Sequence, residues 1–150
     1  MSTQRNTRGS VTKLYIWGED LDPELISQYL KMKPFKAWRK GQPKIVTTPT
    51  GAVKVLSTPQ KLGCWCVRIP ESAVSKSLPE QLQYWNILLK RHEAIFCEFN
   101  RRKFDFYIDC FVNEGPTVSF DLAADLLESL GKLGLGIKVS FYDSNALFDD

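Results

Sequence analysis

Apolar and polar positions alternate through residues 14–18, where Leu14, Ile16 and Gly18 interleave with Tyr15 and Trp17, and this period of two predicts a β-strand beginning near Val11. Helical spacing follows. Asp20 or Asp22 stands at an N-cap position, Pro23 and Glu24 suit a first turn, and Leu25, Ile26, Tyr29 and Leu30 fall on one face. Residues 42–59 are rich in Thr, Pro, Gly and Ser and predict a long loop or a β-hairpin with an edge strand. The β-branched and aromatic run 63–69 reads as a strand closed by Pro70. Ser77 then caps a helix in which Leu82, Trp85, Leu88 and Leu89 recur, and residues 93–99 predict a short helix with Ile95, Phe96 and Phe99 inward.

Residues 104–112 form the next predicted strand, followed by a turn at 113–116. Ser119 is the expected cap of a helix through Leu122, Ala123, Leu126, Leu127 and Leu130 that stops at Gly131 or Gly134, and residues 137–142 make the last strand. The glycines at 131–136 follow a helix instead of preceding one, so they are a stop and a turn, not a phosphate loop. This order of elements predicts an α+β fold, a two-layer sandwich with a mainly antiparallel sheet and helices packed on one face. The expected organisation is a loose polar tail at 1–10, one domain at 11–143 and an acidic C-terminal tail at 144–150.

Several short pieces, taken in order, carry a family resemblance: residues 16–18 followed by 20–26, Lys33 and Pro34 leading to 38–41, the strand opening at 63–65, and the helix through Leu126, Leu127 and Leu130 running into 133–136 and a strand ending at 141–143. Over residues 13–142 the chain resembles the bacterial domain-of-unknown-function family 4279. Ser129 departs from the pattern, which would place a leucine there. The resemblance implies the same α+β order of elements and no established activity. The genre of small lone bacterial proteins implies an immunity or antitoxin-like inhibitor of a partner protein, such as a toxin.

Composition adds the compartment. A chain of 150 residues, 43% hydrophobic, can bury a core without disulfide or metal staples. It shows neither an apolar signal core nor a run of about 20 apolar residues, so a cytoplasmic protein with no membrane association is expected. Cys64, Cys66, Cys97 and Cys110 lack the spacing of a secreted framework and are expected to be reduced. Cys64 and Cys66 should share one face of their strand with Trp65 opposite. His92 and Cys97 could complete a zinc set with them, but the C-x-C spacing is wrong for structural zinc, so no metal and no cofactor are expected. His92, the sole histidine, reads as an exposed helix end where a cation suits the dipole.

The net charge is only +3, yet the first half is basic and the second acidic on balance. Residues 31–44 carry Lys31, Lys33, Lys36, Arg39, Lys40 and Lys44 with no acidic residue, interleaved with Phe35 and Trp38. Such a stretch fits an acidic protein partner, or RNA or single-stranded DNA with aromatic stacking, although the strands carry no RNP-type motif. The simpler alternative is that Trp38 packs as a lid on the core while the charges stay solvated. Arg39 and Lys40 are the foremost contact candidates, with Lys36 and Lys44 beside them, and Trp38, Gly41 and Trp65 are structural. Asp105 and Asp109 share a face with Tyr107 and read as the wet side of a half-exposed sheet. With no nucleophile-base pair, no metal-ligand cluster and no catalytic residue assigned, a non-enzymatic protein-binding module is the expected function. Nucleic-acid binding is second, and an enzyme using the strand carboxylates or cysteines is third.

Overall fold

The computed structural model describes residues 9–47, 50–113 and 119–141, with backbone alone at 44–47 and 54–58. The chain runs β1 (Gly9–Gly18), α1 (Pro23–Leu30), β2 (Lys36–Trp38), β3 (Pro43–Thr47), β4 (Val53–Pro59) and β5 (Gly63–Arg68). A 3-10 turn (Glu71–Ala73) then leads to α2 (Leu78–Lys90), α3 (Glu93–Arg101), β6 (Asp105–Asn113), α4 (Ala124–Lys132) and β7 (Gly136–Phe141). Five strands form one sheet in the order β2-β5-β1-β6-β7, and β3 and β4 form a separate two-stranded ribbon. All neighbours in the main sheet are antiparallel except β6 and β7, which α4 joins as a parallel pair. This is the expected α+β sandwich.

Alternation along β1 divides the molecule. Ser10, Thr12, Leu14 and Ile16 are buried on one face, where the register sets Leu14 beside Ile108 and Val67, and Ile16 beside Phe106 and Trp65. The helices cover that face with Ile26 and Leu30 of α1, Leu82, Trp85 and Leu89 of α2, Phe96 and Phe99 of α3, and Leu126 and Leu130 of α4. Removing these side chains from water is the main stabilising term. Trp65 lies at the centre of this core and satisfies its indole N–H on Ser27 Oγ at 3.0 Å. Gly18 is needed where β1 leaves the core, because a Cβ there would lie 2.3 Å from the Phe104 ring.

Local sequence explains the helix starts. Asp22 accepts a hydrogen bond from the Glu24 N–H at 3.1 Å with Pro23 at the first helical position, and Ser77 Oγ accepts from the Glu80 N–H at 3.4 Å and donates to the Glu80 carboxylate at 2.9 Å. Ser129 donates to Asn86 Oδ1 at 2.7 Å and so ties α4 to α2.

Several expectations are corrected. Strand β1 begins at Gly9, two residues before the expected start of the domain at 11, because Gly9 and Ser10 pair with Asn113 and Val112 of β6. Residues 36–38 form an edge strand that the pattern did not show, since three residues paired to β5 need no period of their own. The ribbon at 43–59 is a hairpin that stands apart from the main sheet. Helix α4 starts at Ala124 behind Ala123, whose side chain makes no cap, and Ser119 precedes it by several residues. His92 is half-buried between α2 and α3, where it is the N-cap residue of α3. Residues 1–8 of the expected N-terminal tail, the expected C-terminal tail at 144–150 with residues 142–143 before it, and most of the turn expected at 113–116 lie outside the described residues.

Candidate interaction face

Residues of β1 that point away from the helices are Val11, Lys13, Tyr15 and Trp17. The register sets Cys66 and Cys64 of β5 on one side of them, and Phe111, Asp109, Tyr107 and Asp105 of β6 on the other, while Arg68 at the end of β5 lines a cleft on the helix side. Strand β2 adds Lys36 and Trp38 beyond β5, and β7 adds Lys138 beyond β6. No described helix packs on this side.

The centre of the face is aromatic. Tyr15 lies parallel to Trp17 at 5.8 Å and stacks with Tyr107, its cross-strand partner, at 5.6 Å. Trp17 donates its indole N–H to the Tyr107 hydroxyl at 3.0 Å and meets Trp38 edge-on at 5.8 Å. Tyr15 and Trp38 are only 9% and 5% exposed although no described helix covers them; they pack with Cys64, Cys66, Trp17 and Tyr107, and Lys36 lies over Tyr15. Trp17 and Tyr107 remain half-exposed.

Cations surround the rings. Lys36 Nζ lies 5.0 Å from the Tyr15 centroid, Lys138 Nζ 5.9 Å from that of Tyr107, and Lys13 Nζ 5.4 Å from that of Phe35, whose ring is 57% exposed just before β2. Burial pushes the Tyr15 phenol far above its ordinary range, helped by Cys66 and Asp109, and burial raises Tyr107 against the lowering effect of the Trp17 hydrogen bond. Burial also lifts the Cys66 thiol to about 11, although Lys36, Tyr15 and Lys13 pull the other way. Both phenols and this thiol are therefore protonated at neutral pH and serve as packing groups and hydrogen-bond donors.

Residues 31–44 do not form one patch. Lys31 and Lys33 lie on the helix side of the molecule, and Lys36 lies on the aromatic face. Arg39 is held by Asp22 at 2.8 Å, and Lys40 is paired with Glu19. Both pairs fasten the end of β2 to the turn before α1, and the hydrogen bond from Lys40 holds the Glu19 carboxyl below its ordinary range. Gly41 turns the chain between β2 and β3 at φ 84°, which favours glycine, and donates to the Gln60 carbonyl at 2.8 Å. Lys44 belongs to β3, and its side chain is outside the described residues. Trp38 packs on the side away from the helices, and Trp65 lies in the core. Sequence reasoning missed Lys13, Tyr15, Trp17, Tyr107 and Lys138 as a group. The alternation at 14–18 and at 104–112 marks their outward positions but not that β1 and β6 are neighbours.

Cys64 and Cys66 share the aromatic face with Trp65 opposite, as the spacing predicted; they and Cys110 are buried, while Cys97 is exposed. At neutral pH, iodoacetamide is expected to alkylate Cys97 first and to reach the other three only on unfolding, as burial lifts Cys66 to about 11 and Cys110 to about 12. Mass spectrometry of the native protein checks this. Labelling of Cys66 as fast as that of Cys97 would reveal an accessible thiolate and restore the cysteine-enzyme reading.

Among the described residues no helix is long and apolar enough to cross a membrane. The model of one family, described as a domain of unknown function (DUF4279), matches residues 7–144. Searches of curated proteins and of solved structures gave no match.

Proposed function

The chain belongs to the DUF4279 family, and from its geometry we propose that it is a non-enzymatic protein-binding module whose interface is the sheet face opposite the helices. The observation that carries this reading is the cluster of Tyr15, Trp17 and Tyr107 bordered by Lys13, Lys36 and Lys138. Tyrosine, tryptophan and arginine dominate interface energetics, because large rings displace much water while losing few rotamers. Along these strands Lys13, Lys36 and Lys138 outnumber Asp105 and Asp109, which favours an acidic partner. Arg39 and Lys40, already paired, are secondary contacts at the rim.

RNA or single-stranded DNA is the second reading, favoured by the same pairing of rings and lysines. Two carboxylates on the face oppose a phosphate chain, and lysines lie over the rings on which bases would stack. The protein reading is therefore preferred. The specific form we propose is an immunity-like or antitoxin-like inhibitor of that partner acting in the cytoplasm, a role supported by the genre of small lone bacterial proteins and not by any activity of the family.

The test begins with affinity capture by the whole chain and continues with kinetics on the purified partner. Lys36→Glu with Lys138→Glu should slow association by roughly tenfold or more at low salt and flatten its salt dependence, while Trp17→Ala should speed dissociation. Captured material that nuclease destroys would replace this reading with the nucleic-acid one. If Arg39→Glu with Lys40→Glu slows association and the face variants do not, the interface lies on the β2–β3 side instead.

A further inference from the structure

A cleft of about 540 Å³ opens on the helix side, between the segment that follows α1, the end of β5 and helix α2. That volume falls within the roughly 300–1,000 Å³ of small-molecule sites. The charged lining has one sign: Lys31, Lys33, Arg68 and Arg91, joined by His92, with no acidic lining residue among those described. Met32, Val67, Trp85 and Leu88 supply an apolar wall, and Tyr84 stands with them. Cations gathered around a concave, partly dry surface repel one another and focus a positive potential into it, so an anion seated there relieves the repulsion.

Two independent features point into the same place. Arg68 Nε is buried with no hydrogen-bond partner among the described residues, whereas buried donors normally have an acceptor. Lys31 holds a left-handed backbone, φ 54° and ψ 44°, at the C-cap of α1, where glycine is the favoured residue. A lysine kept in that conformation brings a cation to the cleft at a steric cost. Burial, with Lys31 and Arg91 nearby, holds His92 below its ordinary range, so its imidazole is neutral at neutral pH and able to answer a bound charge.

We propose that this cleft binds a small organic anion, a carboxylate or phosphate carried on an apolar body about the size of a fused ring. Arg68 and the two lysines meet the anionic group, and the body lies against Trp85, Leu88 and Met32. The site is separate from the aromatic sheet face and does not depend on that face being an interface.

His92 is the sole histidine, so its imidazole resonances report on the cleft without ambiguity. The full chain is titrated with 1-naphthyl phosphate, 2-naphthoate and the neutral 1-naphthalenemethanol while those resonances are followed by NMR. An anion near the imidazole favours its protonated form, so binding raises the midpoint of its titration and is tighter at lower pH. Saturable shifts with both anions identify the shared negative charge as the determinant, and shifts with only one identify phosphate or carboxylate as the class. Equal binding of the neutral alcohol, or no response to either anion at millimolar concentration, overturns the proposal. Lys31→Gly suits the left-handed backbone and so preserves α1, and it should weaken anion binding by roughly tenfold. Arg68→Gln should abolish binding; if that variant does not fold, Lys31→Gly and Arg91→Gln decide, and unchanged affinity in both places the anion elsewhere.

Discussion

Replacing Gln81 with leucine is expected to destabilise the protein by about 2–4 kcal/mol, a large effect for a single residue on a helix. Gln81 is fully buried, and its amide joins three parts of the chain. Its Oε1 accepts from Thr12 Oγ1 at 2.9 Å, while its Nε2 donates to the Ser10 carbonyl at 2.7 Å and to the Lys76 carbonyl at 3.0 Å. Thr12 Oγ1 in turn accepts from the Trp85 indole N–H at 2.7 Å, so α2 is fixed on β1 by a closed polar network inside the apolar core. Leucine fills most of the volume but strands the Thr12 hydroxyl and two carbonyls, and each buried group left without a partner costs about 1–3 kcal/mol before relaxation. Adding Thr12→Val to Gln81→Leu should cost less than the sum of the two single changes, because part of the stranded polarity leaves with the threonine. Urea denaturation of the two single variants and the double variant measures this coupling. A loss below about 0.5 kcal/mol for Gln81→Leu would mean that water replaces the amide and that the network does not hold α2 in place.

Sequence alone made the core side of this molecule readable and left its outer side incomplete. Half-buried strands reveal their faces by alternation, so Leu14 and Ile16 were separable from Tyr15 and Trp17, and the shared face of Asp105, Tyr107 and Asp109 was visible in the same way. Caps are local chemistry, and Asp22 and Ser77 stand where they are needed. Strand order is not local. Nothing within residues 9–18 announces that β5 and β6 flank them, so the lysines and rings of four strands could not be seen to converge. The basic run misled for a related reason: between Lys31 and Lys40 the chain leaves a helix, forms an edge strand and enters a turn, and each step sends its charges to another surface. His92 looked like an exposed helix end, even with a helix expected at 93–99, because the sequence does not show that the junction of α2 and α3 packs beside the segment that follows α1.

Trp38 is where fold and candidate site meet, and Trp38→Ala is expected to lower stability by about 3–5 kcal/mol, the usual loss for a buried large aromatic. The ring is 5% exposed, packs in a small second cluster with Tyr15, Cys64 and Cys66, and donates its indole N–H to the Leu62 carbonyl at 3.0 Å. Because β2 has only three residues, much of its hold on the sheet must come from this side chain, the β5 ladder and the two ion pairs beyond it. Exposed ion pairs contribute little, so they cannot compensate for the ring. Loosening β2 also releases Lys36 from its place over Tyr15, and Trp38→Ala should therefore weaken partner binding as a consequence of unfolding the edge. Trp38→Phe separates the two effects. Phenylalanine keeps most of the burial and loses the hydrogen bond, so it should cost about 1–2 kcal/mol and leave association with the partner near the wild-type rate. Thermal melts and association kinetics of the two variants decide the matter: a Trp38→Ala protein with the wild-type melting temperature but no binding would make Trp38 a contact residue and remove it from the structural role assigned here.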